Sequence, residues 1–371
     1  MHVLVTGGAG FIGSHTVDAL LRRGHRVRVL DLLGPPVHTS ATRPRYMPDD
    51  VDLIVGDVRR REDWERALRG VDAVIHLAAY QDYLLDFSRF AHTNDVGTAL
   101  LYEVAVAAGL PLRRVVVGSS QAVYGEGRYQ CAVHGPQDAP SRSLDRLQKG
   151  LWEIPCPVCG RDLDAAWTDE RGVAPHNQYA VSKYAQELYA LTLGRLHAIP
   201  TVALRYSIVQ GPRQSPLNAY SGVLRIFASR LRRGLPPIIY EDGNQIRDYV
   251  AIDDVVEANL LALIDDEKMA FNVYNVGGNR SVTVLDYARL LSEVMGVQTD
   301  PILLGEFRLG DTRHVRSDVS KLMALGWQPQ TPLREVATRY LEWLETLEDM
   351  PDQSEAALAT MRSLGVVRRR E

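Results

Sequence analysis

Residues 6–13 read Thr-Gly-Gly-Ala-Gly-Phe-Ile-Gly and directly follow the apolar run Val3-Leu4-Val5. Gly7, Gly10 and Gly13 keep a strand-to-helix turn free of side chains, and Phe11 and Ile12 lie within the same turn. A dinucleotide pyrophosphate can then approach backbone N–H groups at the positive end of a helix. The spacing is G-x-x-G-x-x-G rather than G-x-G-x-x-G, and a glycine fingerprint alone is weak. This one sits between an apolar run and a helical pattern, and an acid, Asp31, closes the next run Arg26–Leu30. A carboxylate there accepts hydrogen bonds from both ribose hydroxyls of NAD and repels a 2′-phosphate. NAD is therefore the expected cofactor.

The first half of the chain alternates short apolar runs with helical patterns. The runs are His2–Thr6, Arg26–Asp31, Asp52–Gly56, Ala73–Leu77 and Arg114–Gly118. The helical patterns are Phe11–Arg23, Glu62–Arg69 and Leu84–Ala108, and a further helix, Asn177–His197, precedes the run Thr201–Tyr206. This alternation predicts a parallel sheet buried on both faces. After residue 207 the pattern loosens around two Pro/Gly-rich stretches, Gln210–Pro216 and Gly234–Pro237. The expected fold is α/β, a Rossmann-type doubly wound sheet over residues 1–206 with an insertion at about 126–176. A smaller substrate-binding lobe over 207–345 would cover the carboxyl ends of the strands. The tail, 346–371, is polar and ends in Arg368-Arg369-Arg370, which predicts a solvated surface helix.

Of the 371 residues, 46% are hydrophobic and 24% charged, with a net charge of −4, which gives no electrostatic case for nucleic acid or an anionic membrane. No apolar run approaches the ~20 residues of a membrane span. The chain enters a strand at its first residues, so no leader is expected and the expected location is cytoplasmic.

Tyr179-Ala180-Val181-Ser182-Lys183 places a phenol and an ammonium four residues apart, on one helix face. A nearby cation lowers a tyrosine pKa from about 10, making a general base for a sugar or alcohol hydroxyl. Ser119-Ser120-Gln121-Ala122 follows the run Val115–Gly118, and a serine there can hydrogen-bond the reacting oxygen.

On these motifs the chain resembles the extended short-chain dehydrogenase/reductases, in the nucleotide-sugar epimerase and dehydratase branch, over about residues 1–345. The matching segments include H-L-A-A at 76–79, S-S-Q-A-V-Y-G at 119–125, L-R-Y at 204–206, R-D-Y-V at 247–250 and G-D-T-R at 310–313. The resemblance implies catalysis by Ser120, Tyr179 and Lys183. It implies cofactor contacts from Asp57 and Val58 at the adenine, from Leu77, Ala78, Ala79, Asn94 and Tyr206, and from Tyr179 and Lys183 themselves. It implies a nucleotide-diphospho-sugar substrate held by Gln81, Ser120, Gln121, Arg213 and Tyr240, with Arg247 and Arg313 on the diphosphate, a task suited to the guanidinium fork. It also implies a homodimer built from the helices Leu84–Ala108 and Asn177–His197.

The family's dehydratases usually carry acids after the catalytic Ser or Thr, whereas this chain has Gln121 and Ala122. That favours inversion at C4 through a transient ketone. A 4,6-dehydratase or a 4-ketosugar reductase remain alternatives, and a non-catalytic NAD-binding protein is a remote one. Ile208 stands where the family often has an asparagine that touches substrate phosphate, and residues 80–92 are unusually aromatic and polar.

All three cysteines fall between Tyr124 and Tyr179. Cys131-x-x-His134 and Cys156-x-x-Cys159 form two close ligand pairs, the set a tetrahedral structural Zn²⁺ takes. The expectation is a zinc-knuckle-like flap beside the active-site mouth. Free thiols in a surface loop, or a redox pair, are the alternatives.

Overall fold

The structure, a computed structural model, describes residues 1–35, 37–38, 40–215, 222–264, 268–347 and 353–371. Pro216, which closes the first Pro/Gly-rich stretch, and the start of the polar tail at 348–352 lie outside these residues.

Seven parallel strands form the main sheet: β1 His2–Thr6, β2 Arg26–Asp31, β3 Asp52–Val55, β4 Ala73–His76, β5 Arg114–Ser120, β6 Thr201–Tyr206 and β7 Asn272–Val276. Their spatial order is β7-β6-β5-β4-β1-β2-β3. The central strands are buried along their length, as expected for a sheet covered on both faces. One face carries the cluster of Val3, Val5, Val29, Ile75, Val116 and Leu204; the other packs Leu4, Trp64, Val74, Leu101, Val115 and Val117.

The helices are α1 Phe11–Arg22, α2 Arg61–Ala67, α3 Gly97–Ala107, α4 Gln178–Leu196, α5 Val223–Leu231, α6 Ile252–Ile264, α7 Val284–Val294, α8 Leu333–Glu345 and α9 Ser354–Ser363, besides shorter turns. α5, α7 and α8 gather around Leu224, Phe227, Tyr287, Leu291 and Tyr340 to make the smaller lobe.

The structure departs from the sequence expectation at three places. The helix expected from Leu84 begins at Phe87 and passes through a widened π segment, Ala91–Val96, before α3. Such widened turns commonly reorient a side chain near a functional site, and this one carries Asn94. Second, the sheet does not end at residue 206: β7 pairs with β6 from Asn272 beside Val202 to Val276 beside Tyr206. Third, the polar tail is not merely solvated, because Val367–Arg369 pairs antiparallel with Glu306–Arg308.

Candidate active site

A cavity of about 980 Å³ runs from the glycine turn, past the ends of β4 and β5, to the smaller lobe. At its first end Gly7 has φ +66°, and a Cβ there would stand 2.8 Å from the Ala78 amide nitrogen. A side chain at Gly13 would collide with the Gly7 carbonyl. The N-terminus of α1 has Gly10 as its cap, with no side-chain cap and no acid in the first turn. Its open N–H groups, beside Phe11 and Ile12, face the cavity and suit a pyrophosphate. The Asp31 carboxylate is held by the amides of Ala9 and Leu33, each at 2.9 Å, and lines the cavity. Asp57, Val58, Leu77, Ala78, Ala79 and Tyr206 line it too. These residues fit NAD. Asn94 does not line the cavity. It is buried, accepts from the Tyr80 amide at 2.8 Å, and donates to the Tyr80 carbonyl and to Ser182 Oγ at 3.1 and 2.8 Å. It fixes the loop after β4 against α4.

Ser120 ends β5, and Tyr179 and Lys183 lie on the first turns of α4, whose N-terminus Asn177 caps by accepting from Ala180 N–H at 2.8 Å. Ser120 and Tyr179 line the cavity together, and the Ser120 side chain works against the rise that burial imposes on the phenol. The lowering expected for that phenol is not what the structure gives. Burial pushes Tyr179 up to about 12, with Ser120 opposing. Lys183 Nζ donates to the Gly118 carbonyl and Gln186 Oε1, both at 2.6 Å, and burial brings the amine down to about 7. The ammonium is held on the end of β5 at Gly118 and on Gln186, three residues further along α4.

At the second end, Gln81, Gln121, Tyr240 and Arg247 line the cavity. The buried Oε1 of Gln121 has no hydrogen-bond partner among the described residues, an acceptor free for a hydroxyl. Arg247 is anchored on the carbonyls of Thr312 and Arg313 at 2.9 and 3.0 Å. The two other arginines lie elsewhere than expected. Arg213 stacks on Tyr46 at 4.9 Å and pairs with Asp18 at 2.8 Å, outside the cavity lining. Arg313 is fully buried in ion pairs with Glu153, Glu241 and Asp242, the last at 2.7 Å. Three carboxylates already surround its fork, so it is a structural cation. The cavity is lined instead by Arg308, five residues earlier, which the sequence reading missed. Its guanidinium lies 4.0 Å from the Tyr83 ring centroid and 5.0 Å from that of Tyr240, and its Nε has no hydrogen-bond partner among the described residues. Strand alternation offers the one usable signal: Phe307 turns inward onto Trp152, which sends Arg308 the other way.

The insert packs on itself around Tyr129, Ile154 and Leu163, together with Cys131 and Cys156. Its four ligand atoms, from Cys131, His134, Cys156 and Cys159, lie within 4.8 Å of one another. Cys131 Sγ stands 3.8 Å from Cys159 Sγ, and His134 Nδ1 stands 3.6 Å from the sulfurs of both Cys131 and Cys156. Bond lengths of about 2.3 Å to sulfur and 2.0–2.1 Å to nitrogen in a tetrahedron separate two sulfurs by about 3.8 Å and sulfur from nitrogen by about 3.6 Å. The insert also grips the smaller lobe. Arg142 reaches Glu241 at 2.8 Å and the Asp311 carbonyl at 2.9 Å, and Glu153 takes Arg313 and His314.

Comparison with known proteins agrees with this geometry. The family model described as NAD dependent epimerase/dehydratase matches residues 3–143 and 158–277. The chain belongs to that family. It is 35% identical to the dTDP-L-rhamnose 4-epimerase of Burkholderia thailandensis, over 92% of this chain and 94% of that protein. Among solved structures, the UDP-glucose 4-epimerase of Thermotoga maritima with UDP-glucose superposes with a TM-score of 0.76 at 30% identity, covering 94% of this chain and all of that one. The UDP-glucose 4-epimerase of Thermus thermophilus with NAD gives a TM-score of 0.72 at 31% identity, again over 94% of this chain and all of that one. No helix among the described residues is long and apolar enough to cross a membrane.

Proposed function

We propose that the protein is an NAD-dependent epimerase that inverts C4 of a nucleotide-diphospho-hexose. The observation that carries this reading is the single cavity that joins the Gly7–Asp31 end, the Ser120–Tyr179 pair and the Arg247–Arg308 end. Gly7–Gly13, Asp31 and Lys183 would hold NAD, which would supply an acceptor for the C4 hydride, its donor on return to the opposite face, and a positive ring that favours the phenolate. Tyr179 takes the proton of the sugar hydroxyl and later returns it, and Ser120 holds the reacting oxygen. Arg308 and Arg247 anchor the diphosphate, so that the flat 4-keto sugar can turn over while its nucleotide stays fixed. Gln121 and Ala122 place neither a carboxyl nor another acid next to Ser120, which disfavours elimination of water. The similarity to 4-epimerases supports the same reading.

The test is incubation with UDP-, dTDP-, GDP- and CDP-hexoses without added NAD. A C4 isomer from one of them is the expected product. Release of a 4-keto-6-deoxy sugar instead points to a dehydratase, with Asp82 supplying the carboxyl, since it lines the cavity and burial raises its pKa.

We also propose that Asp31 selects NAD over NADP. Asp31→Ala should weaken NAD and narrow the gap between the two cofactors in equilibrium binding. Tighter binding of NADP by the unaltered protein overturns the assignment.

We propose further that the Cys/His insert holds one structural Zn²⁺ and that copies of the chain pair through α3 and α4. The sulfur–sulfur and sulfur–nitrogen spacings support the first. Metal analysis should find about one zinc per chain, lost in Cys156→Ser together with thermal stability; metal-free protein with freely alkylated thiols refutes it. For the second, the apolar surface is narrower than the sequence suggests. Leu101 and Val104 pack into their own core, while Val106, Val181, Leu188, Tyr189 and Leu196 stay exposed. These side chains favour a twofold helix interface, and a monomeric mass in light scattering at micromolar concentration counts against it.

A further inference from the structure

The tail of the chain, expected to be solvated, enters the candidate site. α9 and the strand Val367–Arg369 follow one another across a short turn, and the strand pairs Phe307 with Arg368 and Arg308 with Val367. The pairing is reinforced at its buried neighbour Glu306, which receives Arg362 at 2.8 Å and Arg369 at 2.9 Å. Met361, Val366 and Val367 form a buried cluster against Tyr83 and Tyr240. Those two rings bracket the Arg308 guanidinium. Leu358, Met361, Leu364 and Val366 line the same cavity, and Arg368 lies at its edge.

We propose that residues 354–371 form one wall of the sugar-nucleotide site and select substrates carrying a methyl group that packs on that wall. The inference rests on the nucleotide-sugar reading above. An aliphatic surface gains little from a hydroxyl or a ring hydrogen, whereas each buried methyl is worth roughly a fourfold gain in binding. Two positions in a nucleotide sugar can carry such a methyl, C5 of the base and C6 of the hexose. The tail packs on Tyr240, at the cavity end that holds Arg247 and Arg308, and on Tyr83, which follows the lining residues Gln81 and Asp82. Arg368 adds a cation at the mouth for an anionic ligand.

The experiment compares the NAD-bound parent with Leu358→Ala/Met361→Ala and, separately, with Arg368→Ala. Two ligand pairs distinguish the sources: dTDP against UDP, and a 6-deoxyhexose against its 6-hydroxy counterpart on one nucleotide. Calorimetry reads binding, and turnover reads KM and kcat. The parent should prefer the methyl-bearing member of at least one pair by several-fold. The double variant should bring that ratio to near one and raise KM at least fivefold, with NAD content retained. Arg368→Ala should weaken both members of a pair alike. Ratios and KM unmoved in a folded double variant overturn the proposal, as does a parent with no preference in either pair. Binding of dTDP and UDP needs no turnover. A protein that isomerises no sugar but whose nucleotide ratio still collapses in the variant therefore loses the epimerase reading and keeps the wall.

Discussion

Replacement of Tyr179 by phenylalanine is expected to lower turnover by about 10²–10⁴-fold, the range for loss of a positioned general base. The substitution removes one hydroxyl and keeps the ring, so the N-terminal turns of α4 and their cap at Asn177 remain. Circular dichroism and the amount of NAD carried by the purified variant should match the parent. Ser120→Ala removes the hydroxyl that opposes the rise in the same phenol's pKa and should also slow turnover, but less. Activity of Tyr179→Phe within a few-fold of the parent would assign the proton transfer to another group. Burial pushes the phenol up to about 12 while Ser120 opposes that rise, so a positive charge beside the ring is what would favour the phenolate.

Arg308→Ala and Arg313→Ala should fail in different ways. Arg308 brings to the cavity a buried N–H that has no partner among the described residues. Its loss should weaken nucleotide-sugar binding by ~30-fold or more, as for truncation of one member of a buried charged contact, with little change in Tm. Arg313 is not among the residues that line the cavity, and its side chain neutralises Glu153, Glu241 and Asp242. Its loss takes one of two cations from the buried Glu241, which keeps Arg142, and the shared cation from the partly exposed Glu153 and Asp242, and should destabilise the fold by roughly 3 kcal/mol, the low end for breaking a buried pair. Thermal melts and ligand titrations of both variants separate the two roles. An Arg313→Ala protein of normal Tm but lost substrate affinity would restore the assignment that the sequence suggested.

That pair of arginines shows where sequence reading stops. The glycine turn, Asp31, Ser120 and the Tyr-x-x-x-Lys helix are legible because each works through local geometry: a strand end, a helix start, one helical face. Choosing between Arg308 and Arg313 needs the location of Glu153, 160 residues away in the chain, and of the Tyr83 and Tyr240 rings. The expected lowering of the Tyr179 pKa fails for a related reason. Helical spacing brings two Cβ atoms to one face, but the Gly118 carbonyl and Gln186 decide where the Lys183 ammonium points. The tail misleads by composition. Its arginines look solvated, yet two of them, Arg362 and Arg369, pair with Glu306, a carboxylate only 1% exposed. The Cys/His set is legible as a ligand pattern, and the near-tetrahedral spacing of its sulfur and nitrogen atoms is visible only in three dimensions.

The return of the chain from the smaller lobe to add β7 has a consequence for dissecting the protein. A fragment ending at residue 206 would keep the glycine turn and the Tyr179 helix, yet leave β6 as an open edge. All six residues of β6 are buried in the intact protein, so the fragment would display an apolar strand with a bare row of N–H and C=O groups, a template for aggregation. It would also lack α6, whose Val255, Leu260 and Leu263 cover one face of the sheet. The two lobes are therefore interleaved along the chain, and the halves cannot be exchanged between relatives as cassettes by one cut. A chimera needs at least two junctions, before α5 and after β7, so that the strand which completes the cofactor sheet travels with the half it serves.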